Sequence, residues 1–323
     1  MIGRPLANGM SRAAWRWRDF LSRVRGANRE RFAGVIDLSY QHCALGDILT
    51  SQVNCTCLAI EAQCTGLDLY LVLNPRAPSA VPVQQFITPE NYPTYLDNVF
   101  PALLCSPLLR SIRLIRNVPT ARLALLSLFA SRVPMWPSRS DQLRRRMTYP
   151  LGHDIINRFF AHHGYVPTLT EPRGYGRWAR EFIRRGYPGR FLVCVNMRQS
   201  RLTDTPVTTY RDAVLPEWNE FFRTVERRYP DVHFFALGGF AEWEHTLLTY
   251  GNVTIPRATG LTLAHELALL HTSDMFMGTS SGFSTMATFS RVPYVIMSIE
   301  PYFATYAGVK VNAEHYPFAT DDQ

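Results

Sequence analysis

Apolar residues fall along this chain in short runs separated by Gly- and Pro-containing turns, and between the runs they recur with helical spacing. Gly34–Tyr40 reads as a buried strand, Ile48–Gln63 as a helix and Leu67–Asn74 as a second strand. Strand, Gly-containing turn, helix and strand make a βαβ unit. Its turn lies at the carboxyl end of the sheet, where open α/β folds bind ligands. Residues 75–94 are Pro-rich and loop-like. Residues 95–135 are apolar but interrupted by Pro101, Pro107 and Pro119, which predicts several short helices. Leu108, Leu109, Ile112 and Ile115 fit core packing there better than an exposed patch.

Polar residues 137–150, with Arg144, Arg145 and Arg146, precede helices at Asp154–His163 and Gly176–Arg185. Gly186–Arg190 reads as a linker, after which the alternation restarts. Strand Phe191–Val195, helix Leu215–Tyr229, strand His233–Leu237 with Gly238 and Gly239, strand Val253–Ile255 and helix Leu263–Leu270 follow in order. Strand Met275–Met277, a loop from Gly278 to Gly282, a helix from about Phe283 and a strand entered at Pro293 complete the series. The fold class is therefore α/β, with two Rossmann-like domains facing a cleft. The boundaries read from the pattern are an arm at 1–30, a first domain at 31–185, a second at 190–300, and a segment at 301–323.

Charge is unevenly placed. The chain of 323 residues carries +8 overall, yet residues 1–31 hold eight arginines against Asp19 and Glu30. Residues 11–26 predict a basic amphipathic helix, with Trp17, Phe20, Leu21 and Val24 on one face. That composition suits an anionic membrane surface; the alternatives are a solvated helix packed on the body and a free basic arm. No nucleic-acid-binding motif accompanies the arm, so nucleic acid is not an expected partner. The six cysteines show no zinc spacing and no C-x-x-C pair, which fits core thiols and a reducing compartment. No metal site and no bound cofactor are expected. No apolar core of signal-peptide length follows the basic start, and Leu123–Ser131 is too short to span a bilayer. A cytoplasmic location, peripheral at the inner face of the membrane, is expected.

The chemistry concentrates after Met277. Gly278, Thr279, Ser280, Ser281 and Gly282 place hydroxyls and backbone amides between a strand and a helix, an arrangement that suits a phosphate or diphosphate. No Gly-Lys-Ser/Thr follows, so it is not a P-loop. The other reading is an ordinary turn with a serine N-cap. Arg198, at the carboxyl end of a strand, can meet an anion there; Arg201 is the alternative, and a surface salt bridge is the non-functional one.

Three segments together resemble GT-B glycosyltransferases of the heptosyltransferase and fucosyltransferase-like groups. Gly278, Ser280, Ser281 and Gly282 resemble the heptosyltransferase Gly-x-Asp-Thr-Gly-x-x-His turn, with Ser280 at the Asp position and Thr285 at the His position. Thr279, Ser280 and Ser281 partly echo the fucosyltransferase Thr-x-Ser-Ser turn. Phe191–Arg198 resembles the fucosyltransferase strand ending in His-x-Arg, with Asn196 in place of the His. Val35–Tyr40 with Leu45, Gly46 and Asp47 resembles the first strand and Gly-Asp turn of heptosyltransferases.

The resemblance implies metal-independent, inverting transfer of a hexosyl, fucosyl or heptosyl group. The donor would be a nucleotide-diphosphate sugar, used as co-substrate. The acceptor would be a cell-surface glycan or lipid-linked glycan, as in polysaccharide biosynthesis. Arg198, Arg201, Thr279, Ser280, Ser281, Gly282 and Ser284 would hold the diphosphate. Asp47 would be the catalytic base, with His42 as substitute and helix capping as Asp47's other role. Gly238, Gly239 and Glu266 are candidates for nucleoside contacts, although Glu266 also suits an exposed helix face. In the family the chain after the last strand often crosses back to the first domain, which is the expectation for 301–323 and implies hinge packing for Tyr302, Phe303 and Tyr306 rather than site roles. A GT-B-fold epimerase and a non-catalytic two-domain sugar-binding protein are the alternative functions. A dehydrogenase is disfavoured, because neither half shows a clear Gly-x-Gly-x-x-Gly turn.

Overall fold

The computed structural model describes residues 30–37, 44–72, 93, 96, 100–115, 118–137, 153–199, 211–239 and 245–297. The expected basic helix at 11–26, His42, Arg201 and the segment 301–323 lie outside the described residues.

Two parallel sheets organise the chain. The first holds β1 (Phe32–Asp37), β2 (Leu67–Val72), β3 (Leu109–Ile115) and β4 (Met135–Trp136) in the order β3-β2-β1-β4. The second holds β5 (Phe191–Asn196), β6 (Val232–Leu237), β7 (Val253–Thr254), β8 (Met275–Thr279) and β9 (Tyr294–Met297) in the order β7-β6-β5-β8-β9. Counted from its own first strand, each sheet runs 3-2-1-4, and the second adds a fifth strand beyond. That is the doubly wound order, which reverses direction between its first and fourth strands.

Seven helices connect these strands among the described residues. They are α1 (Leu45–Glu61), α2 (Val118–Ala130), α3 (His153–His163), α4 (Tyr175–Gly186), α5 (Leu215–Arg228), α6 (Leu263–Thr272) and α7 (Gly282–Thr288). No described helix is long and apolar enough to cross a membrane.

Burial explains the strand sequences. Strands of a parallel sheet are covered on both faces and read as continuous apolar runs. β2 is buried at every position and β5 at every position after Phe191. One face of the first sheet packs on α1 through Leu67, Leu69 and Leu71, within a core cluster that extends to Phe276, Phe283 and Met286 of the second unit. The other face packs on α2 through Ala33, Val35, Tyr70 and Val72. The two units also meet where the Leu169 amide donates to the Phe289 carbonyl at 2.7 Å.

Two expectations need correction. Residues 95–135 are not only short helices: Leu109–Ile115 is an edge strand and Met135–Trp136 a short one. Leu109, Ile112 and Ile115 recur every third residue, which mimics a helix. An irregularity opposite Leu67 and Asp68 puts Leu109 and Ile112 on the same face, towards α1, while Ile115 packs on the other face, towards α2. Second, Gly278 and Thr279 are not loop. They pair with Ile296 and Met297 as the end of β8. A Cβ at Gly278 would lie 2.7 Å from the Asn196 carbonyl oxygen, so the glycine serves close strand approach rather than a turn.

Candidate functional site

The reversal of strand order in the second sheet falls between β5 and β8. Residues beyond the carboxyl ends of those strands are therefore the natural ligand contacts of this unit. Arg198 and Thr279 meet there. The Arg198 amide donates to Thr279 Oγ1 at 3.1 Å, and Thr279 is 1% exposed. The Arg198 guanidinium reaches Asp212 Oδ1 at 3.2 Å, and the Ala213 amide returns to the Arg198 carbonyl at 2.9 Å. Both charged side chains keep some solvent access, 16% for Arg198 and 21% for Asp212. Asp212 thus holds a cation at the switch point and leaves it reachable. It escaped the sequence reading because fourteen residues separate it from Arg198 and no periodicity links them.

Ser280 and Ser281 remain as the turn, and α7 begins at Gly282. Ser281 and Ser284 form a reciprocal capping box. The Ser284 amide donates to Ser281 Oγ at 3.3 Å, and the Ser281 amide donates to Ser284 Oγ at 2.8 Å. Ser284 Oγ then donates to the Ser281 carbonyl at 2.6 Å. The serine-cap reading of this turn is realised in these bonds. The amides of Gly282 and Phe283, at the first two helical positions, have no intrahelical acceptor.

The first turn of α1 packs directly on this turn. A Cβ at Gly282 would lie 2.6 Å from Leu45 Cβ, and a Cβ at Gly46 would lie 2.9 Å from Thr285 Oγ1 and 3.5 Å from Gly282 Cα. Two glycines let the helix starts approach at backbone distance. Asp47 follows Gly46 and is half-buried in the same turn. It is not the cap residue. Ala44 occupies that position and supplies no side-chain bond. An acidic residue here still interacts favourably with the helix dipole.

Gly238 and Glu266 are joined by a bond that no sequence spacing announced. The Gly238 amide, at the end of β6, donates to Glu266 Oε1 at 3.0 Å. Arg257 Nε donates to Glu266 Oε2 at 2.7 Å. Glu266 is fully buried, so the exposed-face reading is overturned: its carboxylate ties the β6 edge to Arg257 from beneath. Gly239 follows Gly238 at the same edge. His265 next to it is structural, accepting from the Thr262 amide at 3.1 Å and packing its ring 4.3 Å from Trp178 and 4.9 Å from Tyr175.

The described cysteines are buried free thiols, and burial pushes Cys194 up to about 12 and Cys55, Cys57 and Cys105 higher still. They are not poised as nucleophiles. Among the described residues no group of three or more His, Cys, Asp and Glu side chains is placed to hold a metal ion.

No protein-family model matches the chain, and no curated protein sequence matches it. Solved structures do. A glycosyl transferase family 9 structure from Veillonella parvula DSM 2008 superposes with a TM-score of 0.52 at 10% identity, covering 83% of this chain and 80% of that one. E. coli ADP-heptose lps heptosyltransferase II gives 0.50 at 12% identity, covering 82% and 84%. The likeness establishes the fold: α/β, two parallel doubly wound units arranged as in GT-B glycosyltransferases.

Proposed function

We propose that this chain transfers a glycosyl group from a nucleotide-diphosphate sugar to an acceptor hydroxyl. The observation that carries the reading is the meeting of two sheet edges at one place. Arg198 and Thr279 stand at the switch point of the second sheet. The Gly46–Gly282 contact brings the first turn of α1, with Asp47, against the start of α7. A cation and a carboxylate are thereby offered from opposite units.

The chemistry follows from that division. Breaking the bond between the anomeric carbon and the phosphate oxygen leaves negative charge on the diphosphate. Arg198, with Arg201, and the amides of Gly282 and Phe283 stabilise it, as preorganised donors do for a developing anion. Thr279 and Ser280 shape the floor. Asp47 removes the acceptor proton as the hydroxyl attacks. Gly238, whose amide Glu266 holds, and Gly239 offer the edge on which the nucleoside rests. The fold shared with E. coli ADP-heptose lps heptosyltransferase II and the motif resemblance support a hexosyl, fucosyl or heptosyl donor. A glycan or lipid-linked acceptor rests on the resemblance alone.

Calorimetric titration with ADP, GDP, UDP and CDP tests the reading. One of them binds the wild type, and Arg198→Ala weakens it by ~1.5–3 kcal/mol, the value of a hydrogen bond to a charged group. Equal affinity in a folded Arg198→Ala protein removes Arg198 from the site. Failure of every nucleoside diphosphate to bind removes the function.

A further inference from the structure

We infer that helix α2 and its arginine flanks form a docking surface for an anionic lipid bilayer. The inference is independent of the proposed transfer reaction. α2 lies on the first sheet through Leu128 and Ala124, over Ala33, Val35, Tyr70 and Val72. Its opposite side is apolar too. Leu123 is 68% exposed and Leu126 52%, and Ala130 is exposed one turn further on. These three residues recur at i, i+3 and i+7, so they form one stripe directed away from the Ala124–Leu128 line. A helix on a soluble surface places polar side chains there, and an exposed apolar stripe marks a contact surface.

Charge identifies the occupant. Between Asp97 and Asp141 the sequence holds six arginines and no Asp or Glu. Arg113 stands opposite Tyr70 in the sheet register, with its guanidinium 5.5 Å from the Tyr70 ring centroid, on the face that α2 covers. Arg132 follows α2 by two residues, and both arginines are exposed. The matching surface must accept leucine side chains at its centre and present negative groups around them. Acyl chains ringed by lipid phosphates meet both demands. A second copy of this patch does not, because it would oppose arginine to arginine.

The test is sedimentation of the full chain with phosphatidylcholine–phosphatidylglycerol vesicles and with pure phosphatidylcholine vesicles. The wild type is expected to sediment with the anionic vesicles, less so at high salt, and little with the neutral ones. The double substitution Leu123→Ser and Leu126→Ser is expected to lower the partition coefficient roughly tenfold or more, from the lost burial of two leucines. Both sites are exposed, so nucleotide binding and thermal stability stay at wild-type values in the same preparation. No sedimentation of the wild type overturns the inference, and so does equal sedimentation of the double variant. A dimer in light scattering that the double substitution dissolves, without vesicle binding, reassigns the surface to self-association.

Discussion

Gly282→Ala is the sharpest test of the contact that joins the two units. The added Cβ would fall 2.6 Å from Leu45 Cβ, 2.7 Å from its Cγ and 2.9 Å from its Cδ2. Unstrained carbon contacts lie near ~3.5–4.0 Å, so the overlap is about 1 Å. Rotating Leu45 relieves the Cγ and Cδ2 clashes but leaves Cβ fixed to the backbone, so the two helix starts must separate. Overpacking of this kind costs about 1–3 kcal/mol. Alanine returns up to about 0.5–1 kcal/mol through lower backbone entropy in the unfolded chain. The expected net loss is about 1–2 kcal/mol in denaturant unfolding. In a Leu45→Gly background the clash has no partner, and a double-mutant cycle should recover a coupling of similar size. Separation of about 1 Å between the turn of Asp47 and that of Ser281 should also lower turnover as much as ~10²-fold, the cost of misplacing reacting groups. A variant as stable as wild type, with a coupling of zero, would show that the helix starts do not touch.

Three further outcomes are expected. Asp47→Asn should lower turnover by roughly 10²–10⁴-fold with little change in melting temperature or donor affinity, because Ala44 rather than Asp47 is the cap; near-normal turnover moves the base assignment to His42. Glu266→Gln should destabilise the fold by about 3–5 kcal/mol, since it leaves Arg257 beside a neutral buried amide. Loss of nucleotide affinity at unchanged stability would instead make Glu266 a ligand contact. Stability should fall as pH drops from 6.5 towards 4, because burial lowers both His233 and His271 to about 4 and each must be neutral to fold. The unfolded chain binds more protons in that window, so stability rises with pH across it, by at most about 2 kcal/mol per histidine between pH 5 and neutrality. His233→Gln should flatten the slope, and an unchanged slope refutes the assignment.

Much of the second unit was legible because its strands are apolar on both faces and its helices are amphipathic. Phe191–Asn196 and Val232–Leu237 are such runs, and Trp218, Phe222 and Val225 recur on the buried side of α5. The first unit was less legible where it has an edge. β3 exposes Arg110, Arg113 and Leu114, and its one irregularity shifts Leu109 out of step with the alternation that follows. β4 is two residues long, too short for any period to show.

The site divides along the same line. The positions of Arg198 at a strand end and of the Ser280–Gly282 turn at a helix start were legible because local pattern marks both. Asp212 and Arg257 were not, because the fold rather than the sequence brings each to its partner. Glu266 shows the physical reason. On α6 it sits beside apolar neighbours, and its charge alone suggests solvent. The positions of the Gly238 amide and Arg257 help make a fully buried carboxylate tolerable, through a backbone hydrogen bond and an ion pair. The same arrangement gives that carboxylate a purpose. An amide at the end of β6 is bonded to a fully buried carboxylate that is itself ion-paired, which ties down the sheet edge next to the switch point. Under the proposed transfer reaction, a pre-set edge lowers the ordering cost of nucleoside binding.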